Sequence, residues 1–244
     1  MTYCVALNLA EGLVLASDTR TNAGVDHIAT FGKMTVLEKP GQAVIVLMSA
    51  GNLGTTQSVL SLLRQRVGDD GLPEILQVPS LYEAAVKVGS LLREVIARDT
   101  AGGPQASGVD FGSSFLLAGQ IAGEQTRLFH IYPQGNFIES TPDTPYFQIG
   151  EAKYGKPIID RVVNHGTSLR EAAKCVLISF DSTIRSNLSV GLPIDLALYR
   201  AGTLRVDNRQ RITESDPYYQ MIHQGWSQGL RDTFARLADP DWAH

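Results

Sequence analysis

Thr2 follows the initiator methionine directly, and its hydroxyl is the first side-chain group of the chain that could do chemistry. Removal of an initiator methionine is favoured by a small second residue, so we expect the mature chain to begin with threonine. A threonine at a free N-terminus combines a nucleophile and a base, because its hydroxyl attacks while its own α-amine accepts the proton. An α-amine has a pKa of ~7.7–8.0, close to the working pH that a general base requires. Position alone does not establish this chemistry, since many chains begin with Met-Thr.

Three more candidate residues lie at the ends of predicted strands. Apolar residues alternate over residues 3–9 and return at 13–17, which predicts a β-hairpin. Asp18 ends the second of these strands, Lys33 begins the next strand, and Gly51 ends the strand after that, just before a predicted helix. With Thr2 at the start of the first strand, four strand ends carry candidate residues, and this combination favours a catalytic function. The alternative is an ordinary surface ion network with a turn at the glycine.

The hydrophobic pattern changes between strand-like and helix-like periods along the chain. Further strands are predicted at 33–37, 43–49, 114–120, 127–132, 146–149, 193–199 and 204–212. Helices are predicted between these groups, with capping boxes at Ser80–Glu83 and Ser168–Glu171. Runs of strands that alternate with runs of helices favour an α+β fold, here a four-layer αββα sandwich of two antiparallel sheets flanked by helix pairs. We expect a single domain over residues 1–244, with residues 215–244 as a C-terminal helical extension.

Several stretches carry a resemblance to a known family. They are MTYCVAL at the start, then LVLASDTRTNAGVD, ATFGKM and VIVLMSAGNLGTTQ, and further along FLLAGQI, FQIGEAKYGKPIIDR and SNLSVGLPIDL. Together they resemble the proteasome beta-subunit family, most closely its bacterial Anbu (ancestral beta subunit) branch, over most of the chain. The resemblance implies the N-terminal-nucleophile (Ntn) hydrolase fold, in which the same strand ends surround the N-terminal threonine.

Carried over by position, the resemblance implies a role for each catalytic candidate. Thr2 is the nucleophile, and the ammonium of Lys33 favours the deprotonated form of its hydroxyl and lowers the pKa of its amine. Asp18 pairs with Lys33 and holds it in place. The N–H of Gly51 points at the developing oxyanion. Ser189 matches the family's serine near the threonine amine.

The resemblance also implies a substrate pocket, and the sequence departs from the family pattern nearby. Thr21, Asn22 and Met48 are the candidates for that pocket. Glu151 stands where proteasome subunits have a serine, and Ser186 stands where they usually have an aspartate. We therefore expect a different set of neighbours around the amine of Thr2, and slow catalysis.

Composition excludes other classes of function. The net charge is −4 with no cluster of Lys and Arg, so we expect no nucleic-acid partner. No apolar run is long enough to span a membrane and no signal peptide is recognisable, so we expect a cytoplasmic protein without a membrane partner. The five histidines lack the spacing of metal ligands, and we expect neither a metal nor a cofactor. Cys4 is interpreted as a small buried hydrophobe rather than a thiol nucleophile.

Three functions remain open. The first is a threonine peptidase that acts on peptides or unfolded proteins inside a large homo-oligomer, either a stacked ring or an open spiral. The second is an amidase or isopeptidase of the same fold with a specialised substrate. The third is a catalytically weak assembly subunit. The presence of Thr2, Asp18 and Lys33 together argues against the third.

Overall fold

Two five-stranded antiparallel sheets form the centre of the structure, a computed structural model that describes residues 1–22, 28–101, 109–206 and 208–242. In chain order the strands are β1 (Tyr3–Leu9), β2 (Gly12–Asp18), β3 (Arg20–Asn22), β4 (Ile28–Thr30), β5 (Met34–Lys39), β6 (Ala43–Gly51), β7 (Ser113–Ile121), β8 (Arg127–Ile131), β9 (Phe137–Glu139), β10 (Tyr146–Gly150), β11 (Ile194–Arg200) and β12 (Asn208–Ile212). The helices are α1 (Leu53–Gln65), α2 (Leu81–Ala101), α3 (Lys156–Val162), α4 (Leu169–Ser186) and α5 (Pro217–Arg236), and a 3-10 turn covers Glu74–Gln77.

The strand order shows how the N-terminus comes to lie among other strand ends. The first sheet has the order β10-β1-β2-β11-β12, and the second has the order β5-β6-β7-β8-β9. A separate hairpin of β3 and β4 follows β2. The N-terminal strand therefore lies between two neighbours, with the end of β2 and the end of β10 on either side of its first residue.

Side-chain alternation divides the interior into three hydrophobic clusters. Tyr3 and Val5 on β1 pack with Phe180 of α4, and the rings of Tyr3 and Phe180 lie 4.5 Å apart. Cys4 and Ala6 point the opposite way and meet side chains of the other sheet. The outer face of the second sheet packs against α1 and α2 in the third cluster. The order of layers is thus helices, sheet, sheet, helices, which confirms the predicted αββα sandwich.

Local sequence signals explain where the main helices begin. The hydroxyl of Ser168 accepts a hydrogen bond from the N–H of Glu171 at 3.3 Å and donates one to its carboxylate at 2.7 Å, so this capping box begins α4. The N–H of Glu83 donates to the hydroxyl of Ser80 at 3.2 Å, as predicted for α2. The side chain of Asn52 caps α1 by accepting from the N–H of Thr55 at 3.1 Å.

The strand prediction was wrong for the short elements. The hairpin of β3 and β4 and the strand β9 were not predicted, because three-residue strands are too short to show alternation. The last strand begins at Asn208 rather than at 204. Leu204 has a positive φ of 49° in the turn before it, which ends the extended backbone.

Helix α5 covers most of the segment predicted as a C-terminal extension. Tyr219 and Ile222 are buried in the cluster that contains α4. His223 Nδ1 lies 2.6 Å from Oδ1 of Asp181 on α4. Residues 243 and 244 lie outside the described part, and the assignment of a single domain stays a prediction. None of the helices in the described ranges is long and apolar enough to cross a bilayer.

A matched pair of valines tests the packing of α4 on the first sheet. Val176 of α4 is buried, whereas Val162 at the end of α3 is half exposed. Val176→Ala removes the two buried Cγ carbons of the valine and should lower the free energy of unfolding by about 2 kcal/mol. Val162→Ala should change it by less than about 0.5 kcal/mol. Urea denaturation at one protein concentration measures both, and equal effects would contradict this packing.

Candidate active site

Thr2 lies immediately before β1 and is half-buried, whereas Met1 is 63% exposed. The carbonyl oxygen of Thr2 accepts a hydrogen bond of 2.7 Å from the N–H of Glu151. Gly150 passes so close that an added Cβ would lie 1.9 Å from this oxygen, and its φ is +82°. Only glycine allows this approach. The end of β10 therefore fixes the backbone of the predicted nucleophile.

A buried ion pair lies next to this residue. Lys33 Nζ lies 2.6 Å from Oδ1 of Asp18, and their side chains are 7% and 0% exposed. Lys33 Nζ also donates to the carbonyl of Arg20 at 2.7 Å, and the N–H of Tyr3 donates to the same Asp18 oxygen at 3.0 Å. Burial raises the pKa of the Asp18 carboxyl, whereas the Lys33 ammonium opposes that rise. The carboxylate thus holds both the lysine and the first strand.

A cavity of about 320 Å³ brings these residues together. Its walls are formed by Met1, Thr2, Thr21, Lys33, Ser49, Ala50, Gly51, Leu53, Thr56 and Gly150. The set contains the predicted nucleophile, the predicted lysine and the predicted oxyanion glycine. The buried Asp18 lies behind Lys33. A threonine hydroxyl and a lysine ammonium around one cavity, joined by an α-amine on Thr2 once Met1 is removed, are suited to nucleophilic attack on a carbonyl carbon.

Gly51 ends β6 at the mouth of the cavity. Its φ is +110°, and an added Cβ would lie 2.4 Å from the carbonyl oxygen of Gly112, so a side chain is excluded. Helix α1 begins two residues later, and Leu53 and Thr56 of its first turn also line the cavity. The partial positive charge of a helix N-terminus favours negative charge nearby. The oxyanion role of the Gly51 N–H stays a prediction.

Ser189 lies in the loop after α4 and is absent from the lining of this cavity among the described residues. Its N–H donates to Oδ1 of Asn187 at 2.9 Å. Arg20 Nη1 donates to the carbonyl of Leu188 at 2.9 Å. The guanidinium also lies against Gly191, where an added Cβ would come within 2.2 Å of Arg20 Cζ. Arg20 thus fixes the loop to β3, while the role of Ser189 stays a prediction.

The three candidates for the substrate pocket have different surroundings. Thr21 lines the cavity, and its buried hydroxyl has no hydrogen-bond partner within the described ranges. Asn22 pairs with Ile28 in the hairpin, but its side chain and residues 23–27 lie outside the described part. Met48 is fully buried between the two sheets instead of lining the cavity. It lies on the same face of β6 as Ala50 but two residues deeper, which explains its placement.

Two residues near Thr2 were not predicted to act together. Glu151 was recognised only as a departure from the family pattern, and Asn187 was not singled out. Asn187 Nδ2 donates to Oε2 of Glu151 at 2.9 Å and lies 3.9 Å from the sulfur of Met1. Asn187 is also the C-terminal cap of α4. The predicted capping box placed the start of α4, but no sequence signal linked the end of this helix to the N-terminus.

Cys4 is the other nucleophile close to the ion pair. The side chain is fully buried, and burial raises the pKa of its thiol. Because the thiolate is the reactive form, such a thiol is inert. Within the described residues, no group of three His, Cys, Asp or Glu side chains could hold a metal ion.

Comparison with known structures shows similarity over nearly the whole chain. The chain is 54% identical to "Anbu (ancestral beta-subunit) from Yersinia bercovieri", with a TM-score of 0.92 over 99% of this chain and 100% of that one. It is 52% identical to "Helical Assembly of the Anbu Complex from Pseudomonas aeruginosa", with a TM-score of 0.93 over 99% of both chains. A Gly-1 mutant of Anbu from Hyphomicrobium sp. strain MC1 is 48% identical, with a TM-score of 0.90 over 99% of this chain and 100% of that one. No family model and no curated protein matches the chain.

The ion pair is tested by removing its cation. Lys33→Met leaves the Asp18 carboxylate buried without its charged partner and should lower the free energy of unfolding by about 3–5 kcal/mol. Without Lys33 the folded-state pKa of Asp18 is higher still, so the folded state binds the proton more tightly than the unfolded state. The deficit is therefore greatest at neutral pH and shrinks as the pH falls below that raised pKa.

The double variant Lys33→Met, Asp18→Asn is the matched control. It removes both charges and should cost less than the sum of the two single changes. Denaturation at neutral and acidic pH measures these differences. A deficit that does not change with pH, together with strictly additive costs, would contradict a charged pair.

Proposed function

We propose that this chain, which belongs to the Anbu (ancestral beta-subunit) family of proteasome-like proteins, is a hydrolase that uses Thr2 as its N-terminal nucleophile after Met1 has been removed. Family membership confirms the resemblance found in the sequence. One observation carries the proposal. Thr2 shares a cavity with Lys33, whose ammonium is held by the buried carboxylate of Asp18.

The reaction begins with attack on an amide carbon. As the Oγ–C bond forms, the proton of the Thr2 hydroxyl passes to the α-amine of the same residue. Lys33 stabilises the negative charge that develops on Thr2 Oγ, and Asp18 holds Lys33 at the cavity wall. The N–H of Gly51 stabilises the oxyanion. The resulting ammonium then protonates the leaving amine, and the C–N bond breaks to give an ester on Thr2.

Water completes the cycle. The α-amine accepts a proton from water as the water oxygen attacks the ester carbon. The C–Oγ bond then breaks, the ammonium returns the proton to Thr2 Oγ, and the carboxylic acid is released. While Met1 is present, the nitrogen of Thr2 belongs to a peptide bond and cannot act as a base. The chain with Met1 in place is therefore the inactive form.

The cavity beside Thr2 is the place for a substrate carbonyl. Its volume of about 320 Å³, at the lower end of the range typical of ligand pockets, is that of the chain with Met1, which forms part of its wall. Removal of Met1 enlarges this space next to Thr2, so that it accommodates a peptide segment. A peptidase fits these features. An amidase or isopeptidase with a specialised substrate, which would use the same nucleophile and cavity, is a second candidate.

We also propose that the chain acts within a homo-oligomer. The structure from Pseudomonas aeruginosa is described as a helical assembly of the Anbu complex. In this chain several large apolar side chains are exposed on and beyond α5. They are Tyr218, Met221, Leu230, Phe234, Leu237 and Trp242. An apolar surface of this kind is typical of a protein interface. Peptide or unfolded-protein substrates and a cytoplasmic location stay predictions.

A peptide epoxyketone tests the nucleophile and the base at once. The inhibitor has two electrophilic carbons, and a residue that carries both a hydroxyl and an α-amine closes a ring by attacking both. Protein shown by intact mass to begin at Thr2 should form this ring adduct on residue 2. Thr2→Ala and protein that retains Met1 should form none, whereas Cys4→Ala should label normally.

Peptide mapping locates the adduct. A label on Cys4 or Ser189 with Thr2 unmodified would refute the assignment. Complete retention of Met1 in protein from a native host would also contradict the proposed mechanism. Absence of both labelling and hydrolysis in a correctly assembled, Met1-free protein would favour the third function, a catalytically weak assembly subunit.

The assembly is tested by adding a charge to α5. Phe234 is 79% exposed, and Phe234→Glu would place a carboxylate on the apolar surface. We expect this variant to have a lower mass by light scattering than the unmodified protein at micromolar concentration. Gln224→Glu adds the same charge at a polar position of the same helix and should leave the mass unchanged. A monomeric mass for the unmodified protein would contradict the proposal.

A further inference from the structure

Glu151 has a buried carboxylate beside the N-terminus. The residue is only 5% exposed. Its backbone N–H donates to the carbonyl of Thr2 at 2.7 Å, and its Oε2 accepts from Nδ2 of Asn187 at 2.9 Å. The same Asn187 nitrogen lies 3.9 Å from the sulfur of Met1. A carboxylate, an amide and the first two residues of the chain therefore form one contact group.

This carboxylate has no charged partner among the described residues. Lys33 forms an ion pair with Asp18 and donates to the carbonyl of Arg20. Arg20 itself donates to the carbonyl of Leu188 in the loop after α4. Lys153 reaches Glu151 only through its backbone N–H, at 3.4 Å from Oε1, and its side chain is exposed. A buried carboxylate is costly unless a cation or several hydrogen bonds compensate for its lost hydration.

Removal of Met1 moves the N-terminal cation from Met1 to Thr2. When the peptide bond between Met1 and Thr2 is cleaved, the nitrogen of Thr2 becomes an α-amine, which is protonated below its pKa. It lies on a residue whose carbonyl is already bonded to the backbone of Glu151. In the mature chain the α-ammonium thus lies one residue closer to Glu151, on the residue that Glu151 already contacts.

We propose that Glu151, oriented by Asn187, pairs with the α-amine of Thr2 in the mature chain and positions that amine as the catalytic base. The proposal deepens the proposed function and rests on it for its catalytic consequence. As the amine accepts the proton of the Thr2 hydroxyl, the carboxylate stabilises the ammonium that forms. An aspartate stabilises the histidine of a serine protease triad in the same way.

The charges around the amine set the direction of its pKa. Glu151 raises the pKa of the amine because an opposite charge favours the ammonium form. Lys33 acts in the opposite direction, and Asp18 offsets part of the charge of Lys33. Within the described ranges, Arg20 and Lys153 are the other charged residues with a hydrogen bond to this group or to the loop beside it. Removing the carboxylate of Glu151 should therefore lower the pKa of the amine.

The test measures that pKa directly. Protein that begins at Thr2 is prepared by cleaving a removable N-terminal fusion, and its α-amine is carbamoylated with cyanate across a pH series. The rate is read from the mass of the N-terminal peptide. Glu151→Gln should lower the pKa of the amine by about one unit. At a pH below both pKa values, the amine should then react about tenfold faster.

Two further variants support the measurement. Asn187→Ala keeps the carboxylate of Glu151 but removes the hydrogen bond that orients it. The pKa of the Thr2 amine should therefore fall by less than in Glu151→Gln. Asn187→Ala also serves as the test if Glu151→Gln does not fold. Glu83→Gln removes an exposed carboxylate from α2 and should leave the pKa of the amine unchanged. In a plot of hydrolysis rate against pH, the rise on the acidic side should move to lower pH in Glu151→Gln, and the maximal rate should be lower.

The outcomes separate this proposal from the proposed function. If the pKa of the amine is the same in Glu151→Gln and the unmodified protein, the positioning role is wrong, whether or not the protein hydrolyses amides. If the pKa falls as expected but neither hydrolysis nor epoxyketone labelling occurs, the pairing stands and the hydrolase function is wrong.

Discussion

The ion pair between Asp18 and Lys33 links the two sheets of the sandwich at the edge of the cavity. Asp18 ends β2 in the first sheet, whereas Lys33 leads directly into β5 of the second sheet. The carbonyl of Lys33 also accepts from the N–H of Ser49 on β6, at 3.1 Å. Because the pair is buried, its partners cannot separate without leaving a charge in a poorly hydrated interior. This contact therefore constrains the distance between the two sheets at this edge.

The same carboxylate fixes the start of the chain. The N–H of Tyr3 donates to Asp18, and on the other side the N–H of Glu151 donates to the carbonyl of Thr2. The residue that we propose as the nucleophile is thus held through its neighbours on both flanking strands. Such fixation is what a reaction needs when nucleophile and base belong to the same terminal residue. A free terminus would otherwise be among the most mobile parts of a chain.

Long strands explain why so much of this site was predictable. β1, β2 and β6 are seven to nine residues long, so their apolar runs located Asp18 and Gly51 at strand ends. Met48 was named as a pocket residue from the family resemblance alone, and the structure buries it between the two sheets because a resemblance does not give the depth of a side chain below a cavity. The hairpin of β3 and β4 was missed because it is too short to show a period. Contacts between distant loops, such as Asn187 with Glu151, depend on tertiary packing and leave no local signal.

Processing and electrostatics are coupled at this N-terminus. With Met1 in place, the nitrogen of Thr2 is an uncharged amide, and Glu151 is buried with a neutral amide as its side-chain partner. Loss of Met1 transfers the terminal α-ammonium from the exposed Met1 to Thr2, whose carbonyl already contacts Glu151, and this lowers the cost of keeping that carboxylate buried. The Asp18–Lys33 pair needs no such event, because its charges balance before and after processing. The Asp18–Lys33 pair is therefore balanced before processing, whereas the α-ammonium reaches the residue beside Glu151 only when the base itself is formed.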